Sequence, residues 1–525
     1  MTTRSTAAVS ALAAAILLGA SLLSAAGCSA KARRTPDDTL VVVIPSLLRN
    51  LDPRFALTNW DTNVSRLIAP GLMTIDQPSL EPMPALATSI DRVDDVTWDV
   101  TLRDDIRFSD GSPVRAKDVA YTIESTMDPE TGSLFRQGFE DRFESVEVLG
   151  PKRVRLHLIE PVATLFSDLD FGIISADAAR AQGGRFRDGV VVGAGPYRMV
   201  SKETERLVLE RNPHYHGEPG GTERIVIRTV RDANARTLML VGGSADMTQN
   251  SVRMDLVSDV EARERLSIQT SPGTILAYLM INNDHPILSD VRVRRAIAHA
   301  IDRERIVEAK FDGRAALATG LLPPAHWAYH GDVDRYDFDP DRSKALLDEA
   351  GFPDPGGGRP RLSLSYRTSA DPFQLAIARI IAAQLGTVGI EVDVRAFEFS
   401  TFLSDIKEGG YELATMSTAP ITEPDWTFAY FHSSRIPDER DPDSLNRWRY
   451  RSDVVDEFTE KGRREMDRER RVEIYREVQA AIARDVPIVP LWHADNVVVH
   501  NRDVRGYELF PSARLHGLAT ASKAR

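Results

Sequence analysis

Cysteine is almost missing from this chain: Cys28 is the only one among 525 residues. No intrachain disulfide can form, and no site built from several thiolates can hold zinc or an iron–sulfur cluster. Positive charge is in deficit, with 65 Lys and Arg against 77 Asp and Glu and a formal net charge of −12. That balance argues against nucleic acid held on a basic surface. Beyond Cys28 no apolar run reaches 18 residues, so nothing there reads as a membrane span. The marks of common active sites are missing too: there is no G-x-S-x-G elbow, H-E-x-x-H helix, G-x-x-x-x-G-K loop or complete G-x-G-x-x-G turn. Gly193, Gly195 and Pro196 read as a structural turn, because proline removes an amide that would face phosphate. His214 and His216 flank Tyr215 without a third ligand nearby and read as solvated surface. No catalytic residue, metal or cofactor is expected.

What is present is ordinary globular composition, 42% hydrophobic and 27% charged, in a chain several times longer than one domain. Residues 1–27 carry one charge, Arg4, and then an apolar run from Ala7 to Gly27. This is a secretory signal pattern; the alternative, a membrane anchor, has the right length, but its alanine-rich run inserts weakly. Ala25, Ala26 and Gly27 before Cys28 resemble the lipobox of bacterial lipoproteins, with Ala25 where leucine is usual. The resemblance implies lipidation of Cys28, a polar tether over 28–37, and an exported protein held on the periplasmic or extracellular face of a membrane.

Hydrophobic periodicity predicts a mixed α/β fold. A β-branched run at Thr39–Pro45 predicts a buried strand, and alternation at Trp98–Leu102 and Val154–Leu158 predicts half-buried antiparallel strands. Leu207–Glu210 and Ile225–Val230 form a second pair around a turn-rich segment. Asp290 can cap a helix with Val293, Ala296, Ile297, Ala300 and Ile301 on one face. Asp339 followed by Pro340 opens another, which Gly351 ends. A helix over Phe373–Leu385 feeding the strand at Ile390, Val392 and Val394 predicts a βαβ-like unit, and a last helix covers Arg470–Ala483. The charge run Glu460–Arg471 reads as a solvated helix face.

The stretch WDVTLRDDIRFSDGSPVRAKDVAYTI, Trp98–Ile123, resembles the signature of the extracellular solute-binding proteins, family 5, of peptide and nickel ABC importers. Further matches follow in order: LDP at Leu51, GAGPYRM from Gly193, LERNPHY from Leu209, ADMT from Ala245, INN from Ile281, FDPDRSKALLDEAGF from Phe338 and PIVPLW from Pro487. The resemblance implies a two-lobed periplasmic-binding-protein-like fold of the large type with an inserted extra domain and two hinge crossings. Domain I would take 38–73, 193–275 and 495–525, domain II 74–192, and domain III 276–494. The crossings would lie near Thr274–Asn282 and Val489–Val498, with Pro487 and Pro490 suited to a non-central strand.

The implied function is capture of a peptide or peptide-like solute between the lobes by a monomeric receptor, which delivers it to an ABC permease. A ligand sensor of the same fold and a secreted hydrolase are the alternatives. By motif, the implied solute contacts are Leu57, Thr58 and Asn59, Phe135, Gln249 and Asn250, and Tyr278 with Met280, Tyr278 foremost. Leu57 and Met280 read more readily as core, and Asn59, Gln249 and Asn250 read equally as structural loop amides. One family feature is missing. Oligopeptide-binding members place an aspartate shortly after the strand matching YELATMS to meet the ligand's α-ammonium; here Thr418, Ala419, Pro420 and Ile421 stand there. Glu423 and Asp425 are the available substitutes, and a neutral, capped or non-peptide solute fits equally well.

Overall fold

A computed structural model describes residues 35–76, 79–186, 189–218 and 221–524. The expected signal peptide, Cys28 and the expected tether as far as residue 34 lie outside the described residues. Among the described residues no helix is long and apolar enough to cross a membrane.

Three sheets organise the chain. The first has seven strands in the order Leu266–Ser271, Asn496–Asn501, Met247–Gln249, Thr39–Ile44, Arg224–Thr229, Arg206–Arg211 and Tyr197–Lys202. Thr39–Ile44 is central, parallel to Arg224–Thr229, and every residue in it is buried. Its unbroken β-branched run serves both faces: Leu40, Val42 and Ile44 enter one core cluster, Val41 and Val43 another.

The second sheet is antiparallel, in the order Ala87–Arg92, Thr97–Leu102, Arg153–Leu158, Phe143–Gly150. Trp98, Val100, Val154 and Leu156 face inward, against Val119 and Ile123 of the helix Ala116–Met127. The other face is polar, with Arg155 and Arg153 on Asp99 at 2.7 and 3.0 Å. The third sheet has six strands: Ala315–Leu317, Ile488–Ala494, Leu276–Ile281, Leu413–Ser417, Leu362–Ser369 and Ile390–Phe397. Its last two strands are parallel, Leu362 opposite Ile390, joined by the helix Pro372–Thr387. Helices start where the caps predicted: Asp290 accepts from the Arg292 N–H and Asp339 from the Arg342 N–H.

Two segments carry the chain between the first and third sheets. Pro272–Ile275 links the strand ending at Ser271 to the one starting at Leu276, and Asp495 links Ala494 to Asn496. They lie side by side: a Cβ on Gly273 would sit 2.0 Å from the Ala494 carbonyl oxygen. Asn250, at φ 48°, braces the second crossing, accepting from the Val497 N–H at 2.8 Å and donating to Asn496 Oδ1 at 2.9 Å. Asparagine tolerates this left-handed backbone better than most side chains.

Two expectations need correction. Ile488–Ala494 is flanked on both sides rather than being non-central; Pro490 is accommodated because the neighbour Ala315–Leu317 pairs only with Trp492–Ala494, and the register on the other side shifts beside Pro490. Its carbonyl accepts from Arg303 instead, at 2.8 Å. The run Glu460–Arg471 is not one solvated face. It spans the end of the helix Asp453–Arg464 and the start of the helix Arg468–Asp485, and Arg471 is buried.

Gly273→Ala tests how tightly the crossings fit. The added methyl meets backbone rather than a movable side chain, so a loss of about 1–3 kcal/mol is expected. A lowered denaturation midpoint of the exported chain reads it out; an unchanged midpoint would mean that the crossings can separate freely.

Candidate solute-binding cleft

Across from the crossings, the lobe built on the first two sheets meets the lobe built on the third. The contacts are polar. The Ala163 N–H donates to the Arg463 carbonyl at 2.8 Å, Arg464 pairs with Glu160 at 3.2 Å, and Arg468 pairs with Glu81. Met466 adds an apolar contact, packing on the core of the four-stranded sheet.

Between these contacts lies a chamber of about 270 Å³. The first lobe contributes Glu81, Pro82, Ala163, Phe166 and Ser167, and the second Trp327, Glu423, Glu465, Met466, Arg468 and Arg471. Trp327 forms an indole platform, with the guanidinium carbons of Arg468 and Arg471 at 5.3 and 5.5 Å from its ring. A second cavity, about 310 Å³, is enclosed by the third-sheet lobe alone, between Arg303, Tyr329, Tyr336 and Pro490. Lobe movement would not open or shut it, so the smaller chamber is the candidate site.

The chamber's ionisable wall continues into the protein. Glu423 pairs with Arg471 and accepts a hydrogen bond from Ser167 Oγ of the opposite lobe at 2.9 Å. Asp425 lies 3.4 Å from Arg463 Nε, and Asp168 of the first lobe pairs with Arg142 and accepts from Thr164 at 2.8 Å. Burial raises the pKa of Glu423, with Arg471 opposing. It does the same to Asp425 and Asp168, against Arg463 and Arg142 respectively. His326, packed on Trp327, is buried enough to have its pKa lowered to about 3 and is neutral.

The residues implied by resemblance are dispersed. Leu57 is exposed, Thr58 caps the helix Asn59–Ile68 by accepting from the Asp61 N–H, and Asn59 accepts from Asn63 at 3.0 Å. Phe135 is half-buried, edge-on to Phe171 at 5.8 Å. Gln249 is buried, donating to the Ala513 carbonyl at 2.6 Å and accepting from Tyr507, while Asn250 braces the crossing. Tyr278 and Met280 are buried together; the Tyr278 ring stands edge-on to Trp448 at 5.5 Å, and burial raises its phenol pKa. Thr418 ties its strand end to Leu276, donating from its N–H at 2.9 Å and accepting at Oγ1 at 3.0 Å. Ala419 is exposed, Pro420 half-buried, and the Ile421 N–H donates to the Thr274 carbonyl beside the first crossing. Of the whole set, only Glu423 lines the chamber, with Asp425 behind it. Sequence reasoning missed Ser167, Trp327, Arg463 and Arg471.

Two α/β lobes, two antiparallel crossings and a polar chamber walled from both sides define a two-lobed binding protein. The model of the bacterial extracellular solute-binding proteins, family 5, matches residues 81–437, and the chain belongs to that family. It is 26% identical over 508 residues to the glutathione-binding protein GsiB of Escherichia coli (strain K12), covering 94% of this chain and 96% of that one. It is also 26% identical over 429 residues to the probable di/tripeptide-binding protein 5 of Pseudomonas aeruginosa (strain UCBPP-PA14), covering 78% and 79%. NikZ from Campylobacter jejuni, solved in complex with Ni(L-His), superimposes with a TM-score of 0.79 at 25% identity, covering 93% of this chain and all of that one. The function is therefore solute binding outside the cell.

Glu423→Ala would leave the Arg471 guanidinium buried without its partner. A loss of about 3–5 kcal/mol is expected, with the double variant Glu423→Ala/Arg471→Ala recovering part of it. Chemical denaturation of the three proteins measures this; equal stability of parent and single variant would mean that water already reaches Arg471.

Proposed function

We propose that this chain captures a peptide or peptide-like solute in the interlobe chamber and delivers it to an ABC permease, as a monomer tethered through lipid on Cys28. The observation that carries the reading is a chamber walled by both lobes, so that a solute inside touches both and biases the equilibrium toward closure. Its volume, about 270 Å³, is just below the ~300–1,000 Å³ usual for small-molecule sites. The relatives named for di/tripeptide and glutathione binding support the solute class.

The electrostatics narrow it. Glu423 and Asp425 already face Arg471 and Arg463, and Thr418, Ala419, Pro420 and Ile421 stand in the neighbourhood where the family's acid is expected. A solute without an unpaired ammonium therefore suits the site, and its recognition rests on main-chain hydrogen bonds and on stacking against Trp327.

Calorimetry with dipeptides, tripeptides, glutathione and the histidine–nickel complex tests the reading. N-acetylation of a peptide that binds is expected to change Kd by less than about tenfold, roughly 1.4 kcal/mol. A loss of a hundredfold or more would mean that a carboxylate does take the ammonium, and failure of every solute would remove the peptide assignment. For the tether, Cys28→Ser is expected to move the protein from the membrane fraction to the soluble fraction of expressing cells; retention on the membrane would contradict lipidation.

A further inference from the structure

The lobe junction holds three carboxylates, one of them in the chamber wall, each already paired with an arginine of its own lobe. Asp168 comes from the first lobe, Glu423 and Asp425 from the second, and the chain's own contacts bring them together. Ser167, adjacent to Asp168, donates to Glu423 at 2.9 Å. Asp168 and Asp425 face one another closely enough to repel, and Arg142 interacts with both. Glu423 and Asp425 repel as well. Around them stand Thr164 and Arg142 from the first lobe, and Arg463, Arg471 and Tyr475 from the second. His326 and Arg468 lie further out along Arg471 and Trp327, and His326 is already neutral.

We propose that Asp168, Glu423 and Asp425 form a proton-linked latch, so that mild acid shifts the two lobes toward the closed arrangement independently of any solute. Opening would return water to the Ser167 face of Glu423 and part Asp168 from Asp425, while Glu423–Arg471 and Asp168–Arg142, each within one lobe, would survive. The open form keeps the ion pairs made within each lobe but loses the Ser167 hydrogen bond to Glu423 and the pull of Arg142 on Asp425, both of which favour charge; burial, the largest cause of the raised values, is lost with them and sets the sign. All three groups have raised pKa values in the closed form, with burial the largest cause. Asp168 keeps 25% of its side chain exposed and contributes least.

The sign follows from linkage. Because the closed form holds these protons more tightly, closing takes protons up. The closed share is largest below the open-form pKa values and declines as pH rises through the closed-form values, which burial raises. Each unit of difference between the two forms multiplies the closed-to-open ratio by up to about tenfold.

Pulsed EPR tests this on the exported chain in a Cys28→Ser background, with one spin label on the strand Phe143–Gly150 and one on Ile390–Phe397. Between pH 8 and pH 5 the short-distance population is expected to grow several-fold. Asp425→Asn should raise that population at pH 8 and flatten its pH dependence, since the amide neither repels Asp168 nor titrates. Ser167→Ala should lower it at every pH. Should Asp425→Asn fail to fold, Asp168→Asn, at a partly exposed position, carries the same expectation with a smaller change. A distance distribution that stays constant from pH 8 to pH 5, or a slope that is the same in the folded Asn variant as in the parent, would overturn the proposal.

Discussion

Charge taken out of water constrains this protein more than any other feature. When the lobes meet, carboxylates and guanidinium groups lose hydration, and the loss is tolerable only where opposite charges already face each other. Glu423 has Arg471, Asp168 has Arg142, and Asp425 has Arg463. Each pair lies within one lobe, so neither half carries an isolated buried charge while the lobes are apart. Across the gap the contacts are lighter: a hydroxyl on a carboxylate, a backbone hydrogen bond, and two part-exposed ion pairs. Exposed pairs of this kind contribute little individually. The junction can therefore be broken and remade, as a protein that must release its solute requires.

The crossings supply the opposite property. Asp495, whose N–H donates to the Arg314 carbonyl at 3.1 Å, and Gly273, pressed against Ala494, leave little room for independent motion of the two segments. Asn250 and Thr418 brace them from the two lobes. These side chains tie the two crossings to the lobes on either side, so the amide of Asn250 and the hydroxyl of Thr418 are engaged by the chain's own backbone.

Local structure was legible in the sequence wherever a local cause fixed it. Asp290 and Asp339 cap the helices they were expected to cap, and the glycine-ended helix before Ile390 does join two parallel strands. The junction was not legible, because its partners are remote: Ser167 and Glu423 are 256 positions apart, Arg464 and Glu160 304. A charge run looks the same whether it faces solvent or another lobe, and Glu460–Arg471 does both. Tyr278 and Met280 illustrate the limit of periodicity. Two residues apart on one strand, they share a face, yet alternation cannot say whether that face meets a core or a cleft. Of the residues implied by resemblance, Glu423 reaches the wall of the candidate chamber, whereas none comes from the opposite wall.

The central claim is that the two lobes close on a solute held between them. Small-angle scattering of the exported chain at pH 8, titrated with a peptide or other solute shown by calorimetry to bind, tests it most directly. A fall in the radius of gyration that saturates with the calorimetric stoichiometry is the predicted result. Saturated binding with no change in the scattering curve would contradict it.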